Sequence, residues 1–83
     1  MTTTTGDEVL AIVREAVVTV MEVDPASVTR ESRLVEDLRC DSLALVEIAE
    51  IVEERLPGLT IEDAALDDIR TVGEAVDYVA SRT

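Results

Sequence analysis

The chain has 83 residues, 47% hydrophobic but only 1% aromatic, with 19 acidic against 7 basic side chains and a formal charge of -12. That length supports one domain with a modest core, built from Val, Leu, Ile and Ala because Tyr78 is the lone ring. The acidity excludes binding to nucleic-acid backbone or anionic lipid, both of which need cationic surface, and favours steering toward basic patches on proteins.

Residues 1–5, rich in Thr, read as a disordered tail ahead of a domain over residues 6–83. Thr5 and Glu8 have capping-box spacing, and Val9, Leu10, Ile12, Val13, Ala16, Val17, Val20 and Met21 then recur at helical intervals. The spacing predicts a first helix from about Gly6 to Met21. Asp24 and Pro25 stop it and can open a short turn, with Asp24 as cap and Pro25 at the first helical position. A long polar connection over residues 22–41 follows, held down by Val28, Leu34 and Leu38. Loops of this length are uncommon in compact domains and often functional.

Asp41 caps a second helix that runs to about Leu56 and is ended by Pro57 and Gly58. At about 100° per residue, Leu45, Ile48, Ala49, Val52 and Leu56 share one arc, the core face. Leu43, Val46, Glu47, Glu50, Glu53 and Glu54 fall on the opposite side, next to Ser42. Leu59 and Ile61 plug the core from the next loop, and residues 63–69 form a short third helix. Thr71 and Glu74 make a second capping box, opening a last helix that buries Val72, Ala75, Val76 and Val79 with Tyr78 nearby. No run alternates strictly enough to be a strand. The expected fold is all-α, a four-helix bundle of three longer helices and one short one.

The chain contains neither histidine nor lysine. Ser42 therefore has no side-chain base to make it a nucleophile, and Ser–His–Asp chemistry is excluded. If Ser42 matters chemically, it matters as a place of attachment. It stands in the first turn of the second helix, where unpaired N–H groups and the positive end of the helix dipole favour an anion. An Asp-Ser pair is also an ordinary helix start, so the pair alone does not decide between the two.

A zinc site lacks ligands, with no His and one Cys. The clusters Glu36-Asp37-Asp41 and Glu62-Asp63-Asp67-Asp68 lack the glycine-centred spacing of a calcium loop. Cys40 cannot form an internal disulfide and reads as a small, partly buried apolar residue. No stretch has the length and apolarity of a membrane span, and residues 1–5 lack the basic flank and apolar run of a signal peptide. The expected location is the cytoplasm.

The stretch Asp37-Leu38-Arg39-Cys40-Asp41-Ser42-Leu43-Ala44-Leu45-Val46-Glu47 resembles the attachment motif of acyl carrier proteins. Val23-Asp24-Pro25, followed by Ser32-Arg33-Leu34-Val35-Glu36-Asp37-Leu38, resembles that family's first long loop, and Thr71-Val72-Gly73-Glu74-Ala75-Val76-Asp77-Tyr78-Val79 its last helix. The resemblance implies a carrier without catalysis of its own, bearing 4'-phosphopantetheine on Ser42 through a phosphodiester, with Asp41 and Leu43 as motif neighbours. It implies that Leu43, Val46, Glu47, Glu50, Glu53 and Glu54 form the docking face. The partners implied are a phosphopantetheinyl transferase, a ketosynthase, an acyltransferase and other synthase enzymes with basic patches, around a monomeric carrier.

Two departures bear on those partners. Leu38 and Arg39 stand where a glycine is common in the family, and Glu50 where many relatives carry an apolar residue such as methionine. The segment from Asp41 to Glu47 is most similar to free-standing carriers of bacterial polyketide synthases, whereas the closing segment is equally similar to fatty-acid carriers. Polyketide synthesis is the first expectation and fatty-acid synthesis the second. The alternative from another class is an unmodified acidic helical adaptor, or nucleic-acid mimic, that binds a basic protein surface. It accounts for the charge and the bundle but not for the placement of the serine.

Overall fold

Among residues 6–83, which the computed structural model describes, helices form where local signals and apolar spacing agree. The expected tail and its Thr5 cap lie outside the described residues. Helix α1 spans Gly6–Met21 and buries Val9, Val13, Ala16 and Val17. It stops at Glu22, which turns to a left-handed φ of 54° while its N–H still reaches the Val18 carbonyl. A 3-10 turn over Pro25–Ser27 follows, with Pro25 at its start and the Asp24 carboxylate accepting from the Ala26 N–H at 2.8 Å.

Helix α2, Ser42–Arg55, is capped by Asp41 and closed at Leu56, after which Gly58 takes a φ of 93° that only glycine adopts without strain. Helix α3 is shorter than the spacing predicts. It covers Asp63–Leu66, a single turn, and residues 67–69 leave the helix. No side chain caps it at Glu62, and Asp67 and Asp68 are poor helix formers that compete for backbone donors. Helix α4, Val72–Ala80, opens on a complete capping box: Thr71 Oγ1 accepts from the Glu74 N–H, and the Glu74 carboxylate accepts from the Thr71 N–H.

Helix α1 is the hub. Its backbone approaches both α2 and α4 closely, whereas the backbones of α2 and α4 stand further apart and meet through side chains, Ile48 and Val52 sharing one core with Val76 and Val79; α3 approaches α2. The core is aliphatic, with Val9, Val17, Val28 and Val72 fully buried. On α2 the buried set is Ala44, Ile48, Ala49 and Val52; Leu45 and Leu56, placed with the core by the spacing, are only half-buried. On α4, Ala75 is half-buried and Gly73 is buried instead. A Cβ at Gly73 would stand 3.0 Å from the Arg30 carbonyl oxygen, so the missing side chain lets this helix start press against the loop.

Val28, Leu34 and Leu38 anchor the long connection as their apolarity predicts. Its polar interior is also satisfied. The buried Ser32 hydroxyl accepts from the Thr29 N–H at 2.9 Å and donates to the Ser27 carbonyl at 3.1 Å. The Arg14 guanidinium donates to the Val28 carbonyl at 2.9 Å. The loop then pairs with the segment before α4. Arg33 and Thr71 form an isolated antiparallel bridge, the Leu34 N–H donating to the Arg70 carbonyl and the Val72 N–H to the Ser32 carbonyl. No strand forms among the described residues, and the fold is all-α.

Candidate functional site

Asp41 and Ser42 have different tasks. Asp41 holds extended backbone angles, and its Oδ1 accepts from the Ala44 N–H at 2.8 Å, so its carboxylate is committed to capping α2. Ser42 is the first helical residue, exposed, and its hydroxyl forms no hydrogen bond with any described residue. The first turn of α2 contains no acidic side chain. The N–H groups of that turn not taken by Asp41 face outward with the positive end of the dipole. An exposed hydroxyl at such a place can accept a phosphodiester without displacing any contact, and nothing beside it can activate it from within the chain.

The loop presents this helix start. Cys40, immediately before the cap, is buried, and its N–H donates to the Leu34 carbonyl. Burial, and secondarily the charge of Asp41, push its thiol pKa up, which leaves it protonated and unreactive at neutral pH. Arg39 adopts a left-handed φ of 62° at a place where the family resemblance favours glycine. Arg33 ties the loop by ion pairs to Glu36 at 2.6 Å and Asp37 at 3.2 Å. The Arg33 backbone N–H, and then its guanidinium, hold the Asp37 carboxyl below the usual carboxylate range. The guanidinium is held above its ordinary value by its hydrogen bond to Asp37 and by the charges of Asp37 and Glu36.

On the outer side of α2, Leu43 is 66% exposed and Glu47, Glu50 and Glu54 are exposed. Val46 is half-buried beside Asp63 and Ala64. Glu53, which the spacing places with the outward glutamates, differs. It is partly buried, and its Oε2 accepts from the Ile61 N–H at 2.7 Å, bracing the loop into α3. Val35, which the sequence reading does not single out, is 58% exposed on the other side of Ser42. An isolated valine in a loop has no periodic signal, so only its exposure reveals it.

Two surface grooves open at Ser42. One runs between the loop and the segment before α4, past Val35, Leu45, Leu66, Ile69 and Arg70. The other runs along the edge of α3, past Val46, Asp63, Ala64 and Asp67. Beneath the first lies a wholly apolar cavity of about 40 Å³, reached past Leu45, Leu66 and Ile69, which line both spaces. The cavity lies where the backbones of α2 and α4 stand apart, and its lining includes Ile48 from one and Val79 from the other. No helix among the described residues is long and apolar enough to cross a membrane.

The family model described as "Phosphopantetheine attachment site" matches residues 11–79. The chain is 39% identical over 75 residues to the meromycolate extension acyl carrier protein of Mycobacterium leprae, covering 90% of this chain and 64% of that protein's length. It is 40% identical over 75 residues to the protein of the same name from Mycolicibacterium smegmatis, covering 90% of this chain and 75% of that one. The solved structure of an acyl carrier protein from Enterococcus faecalis superimposes with a TM-score of 0.76 at 32% identity, over 95% of this chain and 99% of that one. The chain belongs to the acyl carrier protein family, non-catalytic carriers whose prosthetic group is covalently attached 4'-phosphopantetheine.

Proposed function

We propose that Ser42 is the attachment residue and that residues 6–83 are a carrier domain presenting acyl thioesters to the enzymes of a cytoplasmic fatty-acyl extension pathway. The observation that carries the assignment is the Asp41–Ser42 division of labour: the carboxylate is spent on the cap, and the exposed hydroxyl beside it has no partner among the described residues. Ser27 and Ser81 donate to backbone carbonyls and Ser32 is buried in its loop, so none has that freedom. The arm, when attached, supplies a thiol for thioester formation. The chain's part is to hold the phosphate end at the start of α2 and to offer the apolar cavity past Leu45, Leu66 and Ile69 to a short stretch of acyl chain.

The relatives named for meromycolate extension favour a fatty-acyl substrate. The segment from Asp41 to Glu47, similar to carriers of bacterial polyketide synthases, supports polyketide assembly as the second reading. A phosphopantetheinyl transferase and synthase enzymes such as a ketosynthase and an acyltransferase would dock on Leu43, Val46, Glu47, Glu50 and Glu54 through basic patches. Incubation with coenzyme A and a phosphopantetheinyl transferase tests the attachment. Intact mass should rise by one phosphopantetheine, peptide mapping should place it on Ser42, and Ser42→Ala should stay unloaded. Loading elsewhere, or undiminished loading of the variant, overturns the assignment.

A further inference from the structure

We propose that Arg70 anchors the phosphodiester of the arm, so that the arm leaves Ser42 along the groove between the loop and the segment before α4. This rests on attachment at Ser42. Among the described residues, Arg30, Arg33 and Arg55 form ion pairs, and Arg82 lies over the Tyr78 ring at 3.8 Å. Arg14 is used by the Val28 carbonyl. Arg39 and Arg70 form no ion pair, and of these two only Arg70 lines a groove that also contains Ser42.

The two grooves at Ser42 differ in charge. The one along α3 offers Asp63 and Asp67 and no cation, which repels a phosphodiester. In the other, Glu36 is already paired with Arg33, and Asp41 is already engaged as the cap. Asp41 keeps its charge while it caps, so Arg70 is the unpaired cation facing the carboxylates of Asp41 and of Asp67, which lines both grooves. Arg70 is held in place by its own backbone, its carbonyl accepting from the Leu34 N–H and its N–H donating to Glu74. A guanidinium on a fixed backbone, lacking a carboxylate partner and sharing a groove with Ser42, is matched to a phosphate oxygen by charge and by its forked donors. Arg39 stands on the other side, in a hollow that excludes Ser42, and takes no part.

The test uses the holo protein, with loading at Ser42 first verified by mass and peptide mapping. If Ser42 is not loaded, the attachment reading itself fails. With Ser42 loaded, ³¹P transverse relaxation and the apo-to-holo changes of backbone amide shifts are compared for wild type, Arg70→Gln, Arg70→Lys and Arg39→Gln. An exposed ion pair changes the anchored population by about two- to five-fold, so Arg70→Gln should slow ³¹P relaxation toward that of a free tail. Arg70→Lys should restore part of the wild-type rate, and Arg39→Gln should match wild type. Wild-type amide changes should centre on Ile69 and Arg70, not on Asp63 and Ala64, and added salt should slow the wild-type ³¹P relaxation without any substitution. Loaded protein in which Arg70→Gln and wild type relax alike overturns the anchor while leaving the attachment intact. Amide changes confined to Asp63 and Ala64, or a salt-independent wild-type rate, would do the same.

Discussion

Replacing Glu53 by alanine separates a glutamate that holds the fold from those that only face outward. Its Oε2 accepts from the Ile61 N–H at 2.7 Å, the short distance of a charge-assisted bond, in a partly buried setting. A hydrogen bond to a charged group contributes about 1.5–3 kcal/mol, and partial exposure moves Glu53 toward about 1–2 kcal/mol. In a domain of this size each kcal/mol shifts the melting temperature by about 4–8 °C, so Glu53→Ala should melt about 4–16 °C below wild type. Glu47→Ala is the matched control, because it makes the same change in helix propensity and net charge at an exposed site whose side chain bonds to no described residue; its effect should stay within about 0.5 kcal/mol. Glu53→Gln keeps an acceptor oxygen but loses the charge, and should fall between the two. The assay is thermal unfolding by circular dichroism at one fixed salt concentration. If Glu53→Ala melts with Glu47→Ala, the bond to Ile61 is not a brace and Glu53 returns to the outward glutamates.

Glu47→Lys should slow association with the phosphopantetheinyl transferase, most strongly at low salt, because an exposed charge acts on encounter. Val46→Asp should weaken binding at every salt concentration; stopped-flow binding of both variants checks this, and unchanged rates in folded protein would move the docking surface off α2. The Asp37 pKa lies below its unfolded value of about 3.9, so its carboxylate stabilises the fold at neutral pH and the contribution is lost as pH falls through the folded value. The stability gap between wild type and Asp37→Asn should therefore be largest near neutrality and close below about pH 4, and chemical denaturation across pH 3–7 reads it. Arg39→Gly relieves a left-handed backbone worth about 1–2 kcal/mol against an unfolded-state entropy cost of about 0.5–1 kcal/mol, for a net gain of about 0.5 kcal/mol. A lower melting temperature in that variant would show that the Arg39 side chain holds the loop by a contact that outweighs the strain.

What the sequence determined by itself is whatever lies within a few residues along the chain. Asp24, Asp41 and Thr71 cap the elements that follow them because a cap acts on donors two or three residues away. The extents of α1 and α2 follow from helical spacing, Glu74 completes its box with Thr71, and Ser42 lies at a helix start because Asp41 precedes it. Val28, Leu34 and Leu38 were legible as anchors of the long loop, since burial of scattered apolar side chains is what holds so polar a stretch; Val35, in the same stretch, stays exposed.

Tertiary structure decided the rest, where segments distant in sequence meet. An angular projection separates the two sides of α2 but cannot say that Ala44 is buried more fully than Leu45, because that depends on where the other elements lie. Glu53 turned inward because the chain returns after Pro57 and Gly58 with the Ile61 N–H in need of an acceptor. Helix α3 stopped at Leu66, since a single uncapped turn has little cooperativity with which to continue through two aspartates. The pairing of Arg33 with Thr71 carries Arg70 to the loop, and with it a cation into the groove that Ser42 also lines. Local rules identify the serine, because capping is short-ranged; only the packed chain supplies the charges and the cavity near it, because those are assembled by burial from stretches distant in sequence.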